Sequence, residues 1–191
     1  MTENPNAARH DLVVKLHELF RQRGYEGVSI GDISIATGLG KSSLYHHFPG
    51  GKEEMAEAVI AFTRTALERD VFAPLRSDGD ATTRIGAMLA AVGRIYSGGA
   101  TPCVLAALLS TAADSPLARG TAQIFADWKD AIAATVEELG VRPVEAQRRA
   151  RAALSLLQGA LVMTRALKDP VAFREAIAMA HDTLIADGEI H

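Results

Sequence analysis

The side chains best suited to chemistry lie in the stretch TGLGKSSLYHHFPGGKEEM, residues 37–55. It combines hydroxyl, amine, phenol and imidazole groups, which can bind phosphate oxygens and the edges of nucleic-acid bases. Its GKSS also has the composition of a loop that wraps the phosphates of a nucleotide. The stretch therefore raises two possibilities, nucleotide hydrolysis and recognition of a nucleic acid.

The spacing around GKSS argues against a nucleotide-binding loop. Such a loop needs a glycine five positions before its Gly-Lys pair, and counting back from Gly40 gives Ile35. It must also follow a β-strand, whereas the residues before Gly40 are typical of a short capped helix. We therefore interpret GKSS as a turn followed by a helix start.

The same residues fit a helix-turn-helix. Ser29 stands before Ile30 and is followed three positions later by Asp32, which predicts a capped second helix, and Gly38 and Gly40 predict a tight turn. If Leu44 and Phe48 face inward, Ser42 and His46 lie on the opposite face, with Tyr45 beside them. A helix with such a polar and aromatic face is typical of one that enters the DNA major groove.

Nearly the whole chain has apolar residues at three- and four-residue steps, so the sequence predicts an all-α fold of about nine helices. Thr101-Pro102, Ser115-Pro116 and Asp169-Pro170 each predict a helix start at the proline. An inward face of the second helix is predicted at Ile33 and Ala36. The expected helices are 6–24, 30–37, 41–47, 52–72, 80–97, 102–112, 116–139, 143–168 and 170–187.

Lys52 is predicted to open the fourth helix, where free N–H groups and the helix dipole favour a phosphate. Ser29 could act in the same way at the second helix. Each of these residues also has an ordinary explanation: Ser29 as a plain N-cap, Tyr45 as a packing aromatic, Lys52 as a solvated charge. Their occurrence together, in this order, favours DNA recognition.

The pattern from Ser29 through Thr37-Gly38 and the Lys41–Tyr45 run to Lys52 and Met55 resembles the N-terminal domain of the TetR family of transcriptional repressors. The resemblance implies a helix-turn-helix domain at 1–52 and a ligand-binding and dimerisation domain at 53–191. It implies a homodimer on a palindromic double-stranded DNA operator, released by a small-molecule effector. By position, the residues expected to contact bases or phosphates are Ser29, Lys41, Ser42, Ser43, Tyr45, His46 and Lys52.

The composition limits the other classes of function. A net charge of −3 and a pI of about 6.1 argue against general coating of nucleic acid, and predict weak DNA binding by a monomer. The apolar runs are too short for a membrane span, and we expect a cytoplasmic protein. His46 and His47 diverge on a helix and His10 and His17 lack an acidic or cysteine partner, so no metal site is predicted. No Ser-His-Asp or paired-carboxylate pattern stands out, so no catalytic centre is predicted, and no cofactor is expected.

The last two predicted helices, 143–168 and 170–187, are expected to form the homodimer interface. Their apolar residues would pack against a second copy in a four-helix bundle, or would simply close the core of one protomer; periodicity alone does not decide between these. The residues concerned are Ala146, Ala150, Ala153, Leu154, Leu157, Leu161 and Val162, then Phe173, Ile177, Ala180 and Leu184.

The effector pocket is expected among the large or soft residues of the fifth to eighth helices, although most such residues also fill cores. These are Met88, Tyr96, Cys103, Phe125, Trp128, Leu157 and Leu161. They suit a lipophilic or aromatic ligand. Residues 98–104 resemble the start of the sixth helix in a multidrug- and flavonoid-responsive, LmrA/YxaF-like branch of the family. An alternative is a small-molecule carrier or redox sensor acting through Cys103 or a protein partner.

Overall fold

A computed structural model describes residues 5–109 and 114–186 of the 191-residue chain. All regular structure within those residues is helical, which confirms the predicted all-α class. The helices are α1 (Pro5–Arg23), α2 (Ile30–Thr37), α3 (Lys41–His47), α4 (Gly51–Leu67), α5 (Ala81–Ile95), α6 (Val104–Leu108), α7 (Pro116–Glu137), α8 (Pro143–Leu167) and α9 (Val171–Ile185).

The described residues form two compact units. The first comprises Met1–Thr65 and Cys103–Gln123, and the second comprises Ala66–Pro102 and Ile124–His191. The first unit thus contains α6, whose Ala107 carbonyl accepts a hydrogen bond from the Tyr25 N–H (3.3 Å). The functional boundary between residues 52 and 53 stays a prediction, because compactness alone does not show which residues bind DNA.

The first unit has a core built from one stripe of each of its first three helices. Leu16 and Phe20 on α1, Ile33 on α2, and Leu44 on α3 are fully buried, as is Phe48 after α3. Their spacing of three or four residues is that of an apolar helix face, and burial of each large side chain contributes on the order of 1.5–3 kcal/mol. The prediction for Ala36 is wrong: it is exposed, and its neighbour Thr37 faces inward.

Helix α4 begins at Gly51, one residue before the predicted start, and does not continue to residue 72 as a regular α-helix. Glu68–Phe72 forms a π-helical turn, and Ala73–Leu75 adds a short α-helical turn. A π-helical turn places one more residue in the turn than an α-helix does. Both Val71 and Phe72 are buried in consequence.

Two of the three predicted proline starts are displaced. Helix α7 begins at its proline, where the Ser115 hydroxyl oxygen accepts from the Ala118 N–H (3.1 Å). Helix α6 begins at Val104, two residues after its proline, because the Thr101 N–H donates to the Tyr96 carbonyl (3.0 Å) and closes the preceding turn. Helix α9 begins one residue after its proline, and the predicted ends at 112 and 187 lie outside the described residues.

Helices α8 and α9 close the core of the second unit. The apolar residues predicted to meet a second copy are buried in the protomer itself, with Val162 exposed and Ile177 half-buried as the exceptions. Arg149 is also buried, and donates to Glu145 of its own helix and to the Ala186 carbonyl. Apart from Val162 and Ile177, those residues form the protomer's own core, which is the alternative that periodicity left open, and dimerisation through these helices stays a prediction.

Candidate nucleic-acid interface

The start of α2 is fixed by a reciprocal pair of hydrogen bonds. The Asp32 N–H donates to the Ser29 hydroxyl oxygen (3.1 Å), and the Ser29 N–H donates to an Asp32 carboxylate oxygen (2.9 Å). The Ser29 hydroxyl also donates to the Asp32 carboxylate, and this hydrogen bond, followed by the one from the Ser29 N–H, lowers the pKa of Asp32, with a smaller contribution from Arg23. The cap is the one predicted from sequence, and it leaves the Ser29 side chain exposed at the helix N-terminus.

The turn between α2 and α3 depends on Gly38, which has a φ of 76° and donates its N–H to the Ser34 carbonyl (2.9 Å). Side chains other than glycine rarely adopt this conformation. The Lys15 ammonium donates to the Thr37 carbonyl (3.3 Å), which ties α1 to the end of α2. The orientation of α3 is thus set by its neighbours before any DNA is present.

Helix α3 presents one continuous polar and aromatic face. Leu44 and the following Phe48 are fully buried, while the predicted DNA-contact residues on this helix are all exposed: Lys41, Ser42, Ser43, Tyr45 and His46. No side-chain hydrogen bond or ion pair engages these exposed groups within the described residues. The structure therefore leaves their hydroxyl, ammonium and imidazole groups available for a partner.

The turn from α3 into α4 is held by residues that the sequence interpretation missed. The Arg9 guanidinium lies 4.7 Å from the centre of the Phe48 ring and forms an ion pair with Glu54 (3.3 Å). The other Glu54 oxygen accepts from the Gly50 N–H (2.8 Å). Gly51 has a φ of 68°, and a Cβ there would lie 3.4 Å from Tyr45 Cε1. Arg9 is too distant in sequence from these partners for any local pattern to reveal the contact.

The Lys52 side chain points back into the protein. Its ammonium donates to the carbonyls of Tyr25 and Val28 (3.1 Å each) and lies 4.2 Å from the centre of the Tyr25 ring. Burial, and after it the nearby carboxylates, raise the pKa of the Tyr25 phenol, so the ring stays neutral at physiological pH. Lys52 thus stabilises the turn between α1 and α2, and its contact with phosphate stays a prediction.

Six of the seven predicted effector residues lie in the second unit, and Cys103 lies in the first. Five of the six are buried, Met88, Tyr96, Trp128, Leu157 and Leu161, and Phe125 is half-buried. Cys103 is buried as well, at 6% exposure, which limits its access to oxidants. Periodicity identified these residues as buried but could not show which of them line a pocket.

Three buried N–H donors in the second unit lack an acceptor among the described residues: the indole Nε1 of Trp128, the amide Nε2 of Gln158 and the guanidinium Nε of Arg84. The other two nitrogens of Arg84 donate to the Leu75 carbonyl and to Glu138, so only in Trp128 and Gln158 is the whole donor group without an acceptor there. A buried donor without an acceptor costs about 1–3 kcal/mol, so such groups are expected where a ligand completes the site. Gln158 was not predicted, because a lone glutamine in a helix carries no sequence signal.

The described residues contain no group of three or more His, Cys, Asp or Glu side chains that could hold a metal ion. None of their helices is long and apolar enough to cross a membrane.

Two family models match the chain. The model for bacterial regulatory proteins of the tetR family matches residues 13–59, and the model for the C-terminal domain of LmrA/YxaF-like transcriptional regulators matches residues 85–179. The first range contains α2, α3 and most of α4. The second runs from α5 into α9.

The relatives and solved structures that the chain resembles are also transcriptional regulators. The HTH-type transcriptional regulators YxaF and LmrA of Bacillus subtilis are 24% and 21% identical over 166 residues, covering 85% of this chain and 87% and 88% of theirs. TetR-family regulators from Agrobacterium tumefaciens and Chloroflexus aurantiacus superpose with TM-scores of 0.81 and 0.82, each at 23% identity. Those alignments cover 94% and 97% of this chain and 98% of each structure.

Proposed function

The chain belongs to the TetR family of transcriptional regulators, in its LmrA/YxaF-like branch, and on that premise we propose that it is a repressor released by a small molecule. Members of the family bind DNA operators, dimerise, and are regulators rather than enzymes. The proposed repressor acts in the cytoplasm as a homodimer on a palindromic operator. Binding of a lipophilic or aromatic effector to the second unit ends repression.

The exposed face of α3 is the observation that carries this proposal. The buried residues of α3 fix the position of the helix, and its exposed side chains offer donors and acceptors suited to base edges and phosphates. We assign contacts with bases or phosphates to Lys41, Ser42, Tyr45 and His46, and phosphate contacts to Ser29 and Ser43. A dimer would place its two α3 helices about 34–36 Å apart, one turn of DNA.

Dimerisation through α8 and α9 is supported by apolar residues that the protomer leaves exposed. They are Val162, Met163 and Leu167 on α8 and Val171 and Met179 on α9. Gly159 lies on the same part of α8, and a Cβ there would meet nothing within 4 Å, so a neighbouring helix could approach closely. Several exposed apolar side chains on two successive helices are typical of an interaction surface, and a two-fold pairing would bury these side chains in both copies.

The unpaired donors Trp128 Nε1 and Gln158 Nε2 narrow the effector class. We propose a largely apolar molecule that carries at least one hydrogen-bond acceptor, such as a carbonyl or phenolate oxygen. Because Trp128 is the single tryptophan of the chain, its fluorescence reports directly on this region. Two variants of similar side-chain volume, Gln158→Leu and Gln158→Glu, test this donor, because each removes the amide N–H groups of the side chain.

The decisive experiment selects duplexes from a random DNA pool with the purified protein and then titrates the enriched duplex at two salt concentrations. We expect a palindromic sequence and an affinity that falls steeply with salt, as phosphate contacts require. Compounds that quench or shift the Trp128 emission are then tested for release of the duplex. No enrichment at low salt would contradict the proposed repressor, whatever the ligand titrations show.

A further inference from the structure

An open depression of about 340 Å³ lies in the second unit, between the loop after α5 and the junction of α8 and α9. Its volume is within the range of sites that hold small organic ligands. None of the predicted effector residues lines it. Its lining includes Ser97, Gly98, Thr164, Arg165, Lys168 and Pro170.

The loop wall of this depression has an unusual backbone. Ser97, Gly98 and Gly99 have φ values of 48°, 65° and 97°, so three consecutive residues adopt a conformation that favours glycine. The Gly99 N–H donates to the Tyr96 carbonyl (2.8 Å), and a Cβ on Gly99 would lie 2.6 Å from Phe173 Cβ. The loop is thus packed tightly against α9. Strain at a serine persists only where the surroundings impose it, and such positions cluster at binding sites.

The other wall carries two positive charges. Arg165 and Lys168 are exposed, and neither forms an ion pair within the described residues. Their position at the C-terminus of α8 is favourable for cations, which by itself accounts for the charges. The neighbouring Asp169 does not line the depression, and its carboxylate accepts from the Val171 N–H (2.8 Å). The cationic wall therefore has no neutralising acid on its lining.

Thr164 supplies the independent sign of a ligand. It lines the depression, is only 6% exposed, and its hydroxyl has no hydrogen-bond partner among the described residues. Buried hydroxyl groups in proteins are nearly always hydrogen-bonded. The helix-dipole explanation of the two cations does not account for this unpaired hydroxyl.

We propose that this depression binds a small oxyanion, a phosphate or carboxylate group, between Arg165, Lys168 and the Thr164 hydroxyl. The guanidinium can donate two parallel hydrogen bonds to such a group, and the ammonium adds a further charge-assisted bond. The Thr164 hydroxyl oxygen is itself buried, so it donates only after its side chain rotates toward the depression. The site is separate from α3 and does not depend on the proposed repressor function.

The test is calorimetric titration of the full-length protein with inorganic phosphate and, separately, with benzoate, at ionic strength held constant with sodium chloride. We expect at least one oxyanion to bind, with binding weakened roughly tenfold by Arg165→Gln or Lys168→Asn, each of which removes one charge-assisted contact. Asparagine tolerates the positive φ of 55° at position 168. Thr164→Val keeps the shape of the side chain and should also weaken binding.

Arg174→Gln is the matched control, because Arg174 is an exposed arginine at the start of α9 that does not line the depression. It should bind the oxyanion as the unmodified protein does. Binding of phosphate alone, or of benzoate alone, identifies which oxyanion the site prefers. Binding of neither, or equal loss of binding in Arg174→Gln, would overturn the proposal, and an unchanged urea-unfolding midpoint of Arg165→Gln shows that the variant remains folded.

Discussion

Replacing Lys52 with methionine separates two roles that this lysine could have. Methionine keeps most of the aliphatic stem but removes the ammonium, and with it the hydrogen bonds to the Tyr25 and Val28 carbonyls and the contact with the Tyr25 ring. A hydrogen bond to a charged group contributes about 1.5–3 kcal/mol when buried, and a cation–π contact at an exposed site about 0.5–1 kcal/mol. Lys52 is half-buried, so water replaces part of what is lost.

We therefore expect Lys52→Met to lower the free energy of unfolding by about 2 kcal/mol, which corresponds to a fall in Tm of about 4–8 °C for a chain of this size. The assay is urea unfolding followed by circular dichroism at a fixed protomer concentration, because dimerisation adds to the apparent stability. If Lys52→Met unfolds at the same urea concentration as the unmodified protein, the proposed stabilising role of Lys52 is refuted.

Lys41→Met is the matched control, since Lys41 lies in the same motif but is exposed and has no hydrogen bond within the described residues. It should unfold like the unmodified protein and bind operator DNA with a smaller salt dependence. Loss of one phosphate contact in each protomer lowers the slope of log K against log salt by about 1.8. If Lys52→Met lowers this slope too, Lys52 leaves its turn on binding and contacts phosphate, as predicted from the sequence.

Three further outcomes are expected. Tyr45→Phe removes only an exposed hydroxyl, and should weaken operator binding about tenfold in a mobility-shift titration without changing the unfolding midpoint. Gly99→Ala places a Cβ 2.6 Å from Phe173 Cβ at a φ of 97°, and should lower the free energy of unfolding by about 3 kcal/mol in urea. Burial, and then Arg21, lower the pKa of His17 below its ordinary 6.5, so the unfolded chain binds the proton first. Stability should therefore fall as pH drops below 6.5 and be level above it, and His17→Gln should remove this dependence in urea unfolding at pH 7.5 and 5.5.

Each of these outcomes has its own check. Gly98→Ala has a similar backbone strain, at a φ of 65°, but no atom within 4 Å of the added Cβ, so it should cost only about 1–2 kcal/mol. Equal losses at the two glycines would show that the contact with Phe173 does not matter. His10→Gln, which removes the other histidine ring that packs edge-to-face against Phe62, should retain the pH dependence. If Tyr45→Phe binds the operator with unchanged affinity, the Tyr45 hydroxyl does not contribute to DNA binding.

The helix-turn-helix could be predicted because its determinants are local. The reciprocal cap at Ser29 and Asp32, the glycine at 38 and the spacing of Leu44 and Phe48 all lie within a few residues of the structure they specify. The partners of Lys52 could not be predicted, because its hydrogen bonds reach residues 24 and 27 positions away in sequence. A lysine at a helix start looks the same whether it points outward or inward.

The contact face of α8 and α9 could not be predicted from the sequence for a different reason. A long helix with apolar residues on much of its circumference has two faces that could be buried, and periodicity does not say which one meets its own chain. The larger apolar set packs inside the protomer, and Val162, Met163 and Leu167 remain outside. The start of α6 was misplaced because the Thr101 N–H closes a turn with Tyr96, and so the proline after it does not begin the helix.

The π-helical turn at Glu68–Phe72 has a consequence for how this chain tolerates changes in length. One added residue in a regular α-helix rotates everything after it by about 100°, which would carry an apolar face out of its core. Here the wider turn already holds the extra residue, with Val71 and Phe72 both inside. Removal of one residue from this turn would leave a regular helix, whereas the same deletion in the middle of α8 would misalign every contact beyond it. Among related sequences, single-residue gaps in this region are therefore expected to fall at 68–72.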